Sequence, residues 1–173
     1  MASIIKVDTI QTAAGGTPTA ADLGLNTTGS VLQVVQETKD SATNTTSSTF
    51  ASTGLTATIT PSSASSKVLV MVSLPMYLES QSNSSSRGNV RVLRGSTDLT
   101  GDIQAIGIRA AQGINTYVTH SGMAAIQYLD SPSTTSATTY TLEHKSTRTD
   151  SATVVVSFGN NATGTLTLLE IAG

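Results

Sequence analysis

The sequence has no cysteine and no tryptophan, and only two phenylalanines and four tyrosines in 173 residues. Without cysteine, structural disulfides and thiolate metal sites are excluded. Without tryptophan, a familiar aromatic platform for sugars is missing. A core so poor in aromatics also buries little area per residue within one chain, and subunit association is the expected source of the missing burial. Charge is equally scarce: nine Lys plus Arg stand against eleven Asp plus Glu, a net charge of −2. No basic stripe can neutralise phosphates, which argues against nucleic acid as a partner. No apolar run approaches the ~20 residues needed to cross a bilayer, so no membrane insertion is expected. Residues 1–8 carry neither a basic n-region nor a long apolar h-region and do not read as a signal peptide.

What the sequence does contain is serine and threonine, roughly three residues in ten, interleaved with short blocks of Val, Ile and Leu. Low net charge with recurrent apolar blocks is not a disordered profile. Residues 1–29 read as an arm. A short apolar strand pattern (Ile4, Ile5, Val7, Ile10) is followed by a breaker around Gly15-Gly16 and by one expected helical turn at Thr19–Gly24. Leu23 and Leu25 lie at its end. The arm is too short to fold alone and too apolar to idle as a linker, so it is expected to dock on another subunit. Residues 30–173 read as the head.

Within the head the pattern is strand, turn, strand. Val31–Glu37 is the first strand. Leu55, Ala57 and Ile59 alternate with threonines up to Pro61. Lys67–Leu78 is apolar at both parities, which places it centrally with both faces covered, and Pro75 predicts a bulge or break near its end. Further strands are expected at Asn89–Arg94, Tyr117–Thr119, Met123–Leu129, Thr139–His144 and Thr153–Phe158. Asp98–Ile108 is weaker, and Ile103–Ala111 is the one stretch where a short helix fits. The last strand, Thr165–Ile171, runs almost to Gly173. Chain ends fray unless tied down, so this strand is expected to be an inner strand locked into the core of the fold or of an oligomer; by analogy with jelly-roll heads, whose first and last strands commonly pair, it is expected beside Val31–Gln36. Val31, Val34, Leu166, Leu168 and Ile171 are then the candidate subunit interface. The fold class is an all-β antiparallel sandwich, and no clean repeat suggests a solenoid or propeller.

No motif carries chemistry. A Ser-His-Asp set can be drawn from His120 and Asp130, but serine is everywhere and no G-x-S-x-G elbow exposes one. His120 and His144 are the only histidines, too isolated for a zinc site, and both are expected on surfaces or strand faces. Asp98 and Asp102 read as a solvated turn. Gly15-Gly16 is not followed by a P-loop lysine. Four N-x-[ST] matches read as turns, because chance supplies several in such a sequence. Arg87, Arg91, Arg94 and Arg109 hold nearly half the basic charge; they read first as solvated guards of an edge strand, and otherwise as a polar inter-subunit seam or as contacts for a carbohydrate carboxylate. The chain is expected to be no enzyme and to need no cofactor or metal.

Ile4-Ile5-Lys6-Val7-Asp8-Thr9-Ile10-Gln11 resembles the N-terminal arm of tail-fibre-like and structural proteins of marine phages, especially cyanophages. Gly29–Gln36, Ile59–Val70, Leu129-Asp130-Ser131-Pro132 and Leu168-Leu169-Glu170-Ile171 are similar to recurring signatures of the same proteins. The resemblance implies a virion surface protein with a compact jelly-roll-like head. By analogy with C1q and tumour-necrosis-factor heads, it implies a homotrimer. It transfers no catalytic residue. Two placements follow. One is a surface knob or short fibre joined to other virion proteins through Ile4, Ile5, Val7, Ile10, Leu23 and Leu25. Its loops (39–49, 80–88, 108–116, 131–138, 145–152) would face a host surface, a glycan among the candidates. The other is a capsid decoration protein that cements the shell.

Overall fold

The computed structural model describes residues 9–18, 22–24, 28–80, 85–108, 118–147, 153–156 and 162–173. The strands in chain order are β1 (Val31–Lys39), β2 (Thr43–Thr45), β3 (Ala51–Ile59), β4 (Lys67–Ser80), β5 (Ser86–Arg94), β6 (Thr97–Asp98), β7 (Ile103–Ile108), β8 (Val118–Asp130), β9 (Thr138–Ser146), β10 (Thr153–Val156) and β11 (Gly164–Ile171). No helix occurs among the described residues.

The strands form two antiparallel sheets. In sheet A, β4 is central. It pairs with β8 along one edge, and along the other with β11 and then β10; β1 continues beyond β11 and β2 beyond β10. In sheet B, the order is β3-β9-β5, with β6 and β7 on the far side of β5. From β3 to β5 and from β7 to β9 the chain crosses from sheet to sheet, giving the jelly-roll-like sandwich expected from the sequence. The first and last strands pair as expected: Val31 lies opposite Ile171, and Glu37 opposite Leu166. The pairing continues past the strands, with Gly29 N–H donating to Ala172 O and Ala172 N–H to Ser30 O, each at 2.8 Å. The head therefore closes at the point where residues 1–28 lead into it.

The core is built by alternation. On β3, Leu55, Ala57 and Ile59 point inward while threonines point out. On β4 the inward set is Val68, Val70, Val72, Leu74, Met76 and Leu78. Tyr140 and Leu142 of β9 and Val90 and Val92 of β5 meet them from sheet B. A strand with period-2 alternation needs only one partner layer, and two such layers exclude water from one interior.

Four expectations need correction. The outer face of β4 is not fully covered among the described residues: Pro75 is buried, but Met71 is exposed and Leu69 only half-buried. Pro75 neither breaks nor bulges β4, whose register with β8 runs unshifted from Val68 to Ser80. The pairing with β11 ends at Ser73 and that with β10 begins at Met76. Pro75, with no N–H to donate, stands in the gap where β4 changes neighbours. Ile103–Ile108 is a strand, because β5 offers a paired edge that decides between the two conformations. The expected loop 39–49 contains β2. Of the expected helical turn, residues 22–24 form a turn and the rest lies outside the described residues.

Candidate interaction surfaces

The side chains considered for chemistry are dispersed. His120 pairs opposite Leu78, and Asp130 opposite Val68, so they sit at opposite ends of β8. At ~3.3 Å per residue they are roughly 33 Å apart, and no triad joins them. His120 is exposed. His144 is not on a surface: it is fully buried between the sheets, and neither ring nitrogen has a hydrogen-bond partner. Burial lowers its pKa to about 4, so it is neutral at pH 7. Among the described residues, no three His, Cys, Asp or Glu side chains gather to hold a metal ion.

Two buried carboxylates act as staples instead, and both fall within the strand signatures noted in the sequence. Asp130, 5% exposed, ends β8 in sheet A. Arg94 of β5 donates to its two oxygens at 2.7 and 2.8 Å, and the Tyr140 hydroxyl of β9 donates at 2.7 Å. This cluster ties the sheets together at one end. Burial, then Asp130, push the Tyr140 hydroxyl well above its ordinary pKa, which keeps it a donor. Glu170 of β11 is also buried, and it accepts from the Ser62 N–H and hydroxyl, both at 2.7 Å. Burial opposes its charge, but the Ser62 bonds hold its carboxyl below the ordinary range. The serine-rich 61–66 turn is thus capped by the last strand.

The outer face of sheet B is charged and internally paired. Arg91 and Glu143 lie opposite each other on β5 and β9 and meet at 2.7 Å, while Arg91 also reaches Asp98 at 3.1 Å. Lys145 and Asn89 both bond Asp102 at 2.5 Å, which draws its pKa below the usual carboxylate value. Phe50 lies beneath these cations, 4.2 Å from Arg91 and 4.5 Å from Lys145. Because β5 lies inside the sheet, with β9 on one side and β6 and β7 on the other, Arg91 and Arg94 are not edge guards; they are ion-pair partners. Arg109 lies outside the described residues. The Asp98 turn is solvated as expected, with its Oδ1 accepting from the backbone N–H groups of Thr100 and Gly101.

The outer face of sheet A has the opposite character. Register places Val34, Leu169, Leu69 and Leu129 in one row across β1, β11, β4 and β8. The next row is Gln36, Thr167, Met71 and Gln127. Beyond it lie Ser73 and Ala125, then Pro75 and Met123. Outward charge on β4 is confined to Lys67 near one end and Glu79 near the other. Val34, Met71, Met123 and Leu129 are exposed at 59%, 36%, 57% and 51%, four of the large apolar side chains left exposed among the described residues.

The expected site residues separate on this frame. Val31 and Val34 are exposed on the outer face of sheet A, and Ile171 is half-buried beside them. Leu166 and Leu168 correct the expectation: both are fully buried in the chain's own core, because alternation sends them inward while Leu169 and Ile171 face out. Of the arm residues, Ile10 and Leu23 are exposed at 54% and 46%. Ile4, Ile5, Val7 and Leu25 lie outside the described residues. From the sequence, Leu69 and Met71 are expected on a covered face of the central strand, and Met123 and Leu129 are given no role at an interface. Apolar residues at both parities of β4 and β8 were the signal that an outer face, too, is apolar.

No family model and no curated protein matches the chain. Among solved structures it is similar to one described as "Structure of infectious bursal disease virus Gx strain", at 12% identity and a TM-score of 0.35, over 82% of this chain. The match spans 37% of that viral chain's length.

Proposed function

We propose that this chain is a non-enzymatic structural protein of a bacteriophage virion: a homotrimeric surface knob joined to the particle by residues 1–29, with loops presented to the host surface. One observation carries the reading: a self-closed sandwich whose sheet A leaves Val34, Met71, Met123 and Leu129 exposed on an outer face with charge on β4 only towards its ends, beside the strand into which the arm leads. Exposed apolar surface of this extent marks association rather than catalysis. The resemblance of the arm and of the strand signatures to phage proteins supplies the virion as setting.

Capsid decoration is the second reading, and the bond from Gly29 N–H to Ala172 O favours it. The head begins where the arm stops, so it would sit close to whatever the arm grips. Copy number per particle separates the two. A handful of copies at the tail supports the knob, and hundreds on the head support decoration. Deleting residues 1–29 is expected to leave a folded, self-associating head that no longer joins the virion. A deletion that unfolds the head would show that the arm belongs to the core.

A further inference from the structure

We infer that the β4–β8 half of sheet A's outer face, centred on Leu69, Met71, Met123 and Leu129, is covered by a neighbouring copy of this same chain. This rests on the self-association in the proposed function. It moves the seam away from β1 and β11, where the sequence placed it.

Three observations lead there. The first is charge. No charged side chain interrupts the outer face of β4 between Lys67 and Glu79. On β8, no Asp, Glu, Lys or Arg occurs from Val118 to Leu129. Nucleic acid or an anionic membrane would need cations here. A charged protein surface would lose hydration without a counter-charge. A partner of matching neutrality is needed, and in a cyclic trimer the uncharged β8 edge of the neighbouring copy supplies one, meeting this face in a heterologous contact.

The second is area. The 13 residues of β8 give a length of roughly 40 Å, and β4 and β8 at ~4.8 Å spacing give a width of roughly 10 Å. That strip, on the order of 400 Å², is about half of what each partner contributes to a standard stable interface, and the edge and cleft beside it supply further area.

The third is the edge. Among the described residues β8 pairs only with β4, leaving a 13-residue edge whose backbone has no ladder partner on its far side, where Ile106 of β7 packs near Gly122 without pairing. That edge carries no proline and no lysine, the devices by which exposed edges are usually guarded. Beside it an apolar cleft of about 270 Å³ opens between β7 and β8, lined by Val90, Ile103, Met123 and Ile126 among others. Met123 borders both cleft and face, and its flexible thioether suits an irregular contact. An unguarded edge, an apolar cleft and an apolar face meet along one strand, and a single neighbour can cover all three.

The test uses the full chain. Light scattering after size exclusion should give the wild type a mass that is a multiple of 17.7 kDa. Met123→Glu and Leu129→Glu should each fall to 17.7 kDa while keeping the wild-type far-ultraviolet spectrum. Thr139→Glu, on the outer face of sheet B, should leave the wild-type mass unchanged. Variants that keep the wild-type mass overturn the location of the seam while self-association stands. A wild type at 17.7 kDa overturns both. If the variants misfold, peroxide oxidation of the wild type decides. Met71 and Met123 protected severalfold relative to the urea-unfolded chain support the seam, and oxidation at the unfolded rate overturns it.

Discussion

On the outer face of sheet B, Arg91 meets Glu143 and Asp98 above the Phe50 ring, and Lys145 meets Asp102 beside it. On the outer face of sheet A, the corresponding middle rows hold Leu69, Met71, Leu129 and Leu169, with charge only towards the ends at Lys67 and Glu79. Both faces belong to antiparallel sheets of one sandwich, so backbone geometry does not account for the contrast. The difference lies in what each face leaves unfinished. Sheet B has paired its own charges, and a solvated pair of this kind asks for no partner. Sheet A leaves apolar area in water, at about 25 cal/mol per Å², and association removes that cost.

The largest effect is expected where the two sheets are pinned together, beneath both faces. Arg94→Met leaves Asp130 buried without its cation and should cost about 3–5 kcal/mol in urea unfolding. Adding Asp130→Asn should recover much of the loss. A single-variant cost under ~1 kcal/mol would mean that the staple contributes little.

Next comes a comparison of neighbours on one strand. Leu168 faces the core and Leu169 the outer row. Leu168→Ala should lose about 2–5 kcal/mol at any protein concentration. Leu169→Ala, on the half-buried outer row and outside the β4–β8 seam, should lose less than half as much, also at any protein concentration. Equal losses would erase the distinction between inner and outer faces.

Acid supplies the third test. Folded His144 takes a proton only near pH 4, while the unfolded chain takes one near 6.5. Its contribution is therefore complete above 6.5 and is lost as the pH falls toward about 4, at up to ~1.4 kcal/mol per pH unit. The depressed Glu170 carboxyl adds a loss of the same sign at lower pH, below the ordinary carboxylate range. His144→Leu should flatten the slope between pH 6.5 and 4.5, and an unchanged slope in that variant would sink the assignment.

The smallest effect is expected on sheet B. Arg91→Ala should cost about 1 kcal/mol or less, diminishing with added salt, and should leave the oligomeric mass unchanged. A change in mass would place this face, too, in an interface.

Much of the architecture was legible in the chain. The Leu55, Ala57, Ile59 alternation reads directly as a half-buried strand, and the apolar C-terminal run reads as a strand tied to Val31–Gln36. Burial of one parity is a local consequence of side-chain period, so it survives without knowledge of the rest of the fold. The candidate surface was only partly legible. Leu166 and Leu168 were placed on a seam because β11 is apolar at both parities, and nothing local says which parity meets sheet B. Arg94 and Asp130 stand 36 residues apart in sequence, so their pairing is invisible until β5 and β8 are brought to the same end of the sandwich.

By itself, then, the sequence determined the all-β class, the absence of disulfide support, the strand and turn punctuation, and the closure of the head by its own last strand. The first three follow from composition and from a period of two, and the closure from the analogy with jelly-roll heads. Only the tertiary structure decided which apolar residues became core and which became surface, because that depends on where the second sheet lies. It also turned the serine-rich turn and the Leu129–Pro132 signature into caps and staples. Their partners, Glu170, Arg94 and Tyr140, arrive from other strands, and a buried carboxylate is stable only where such donors converge.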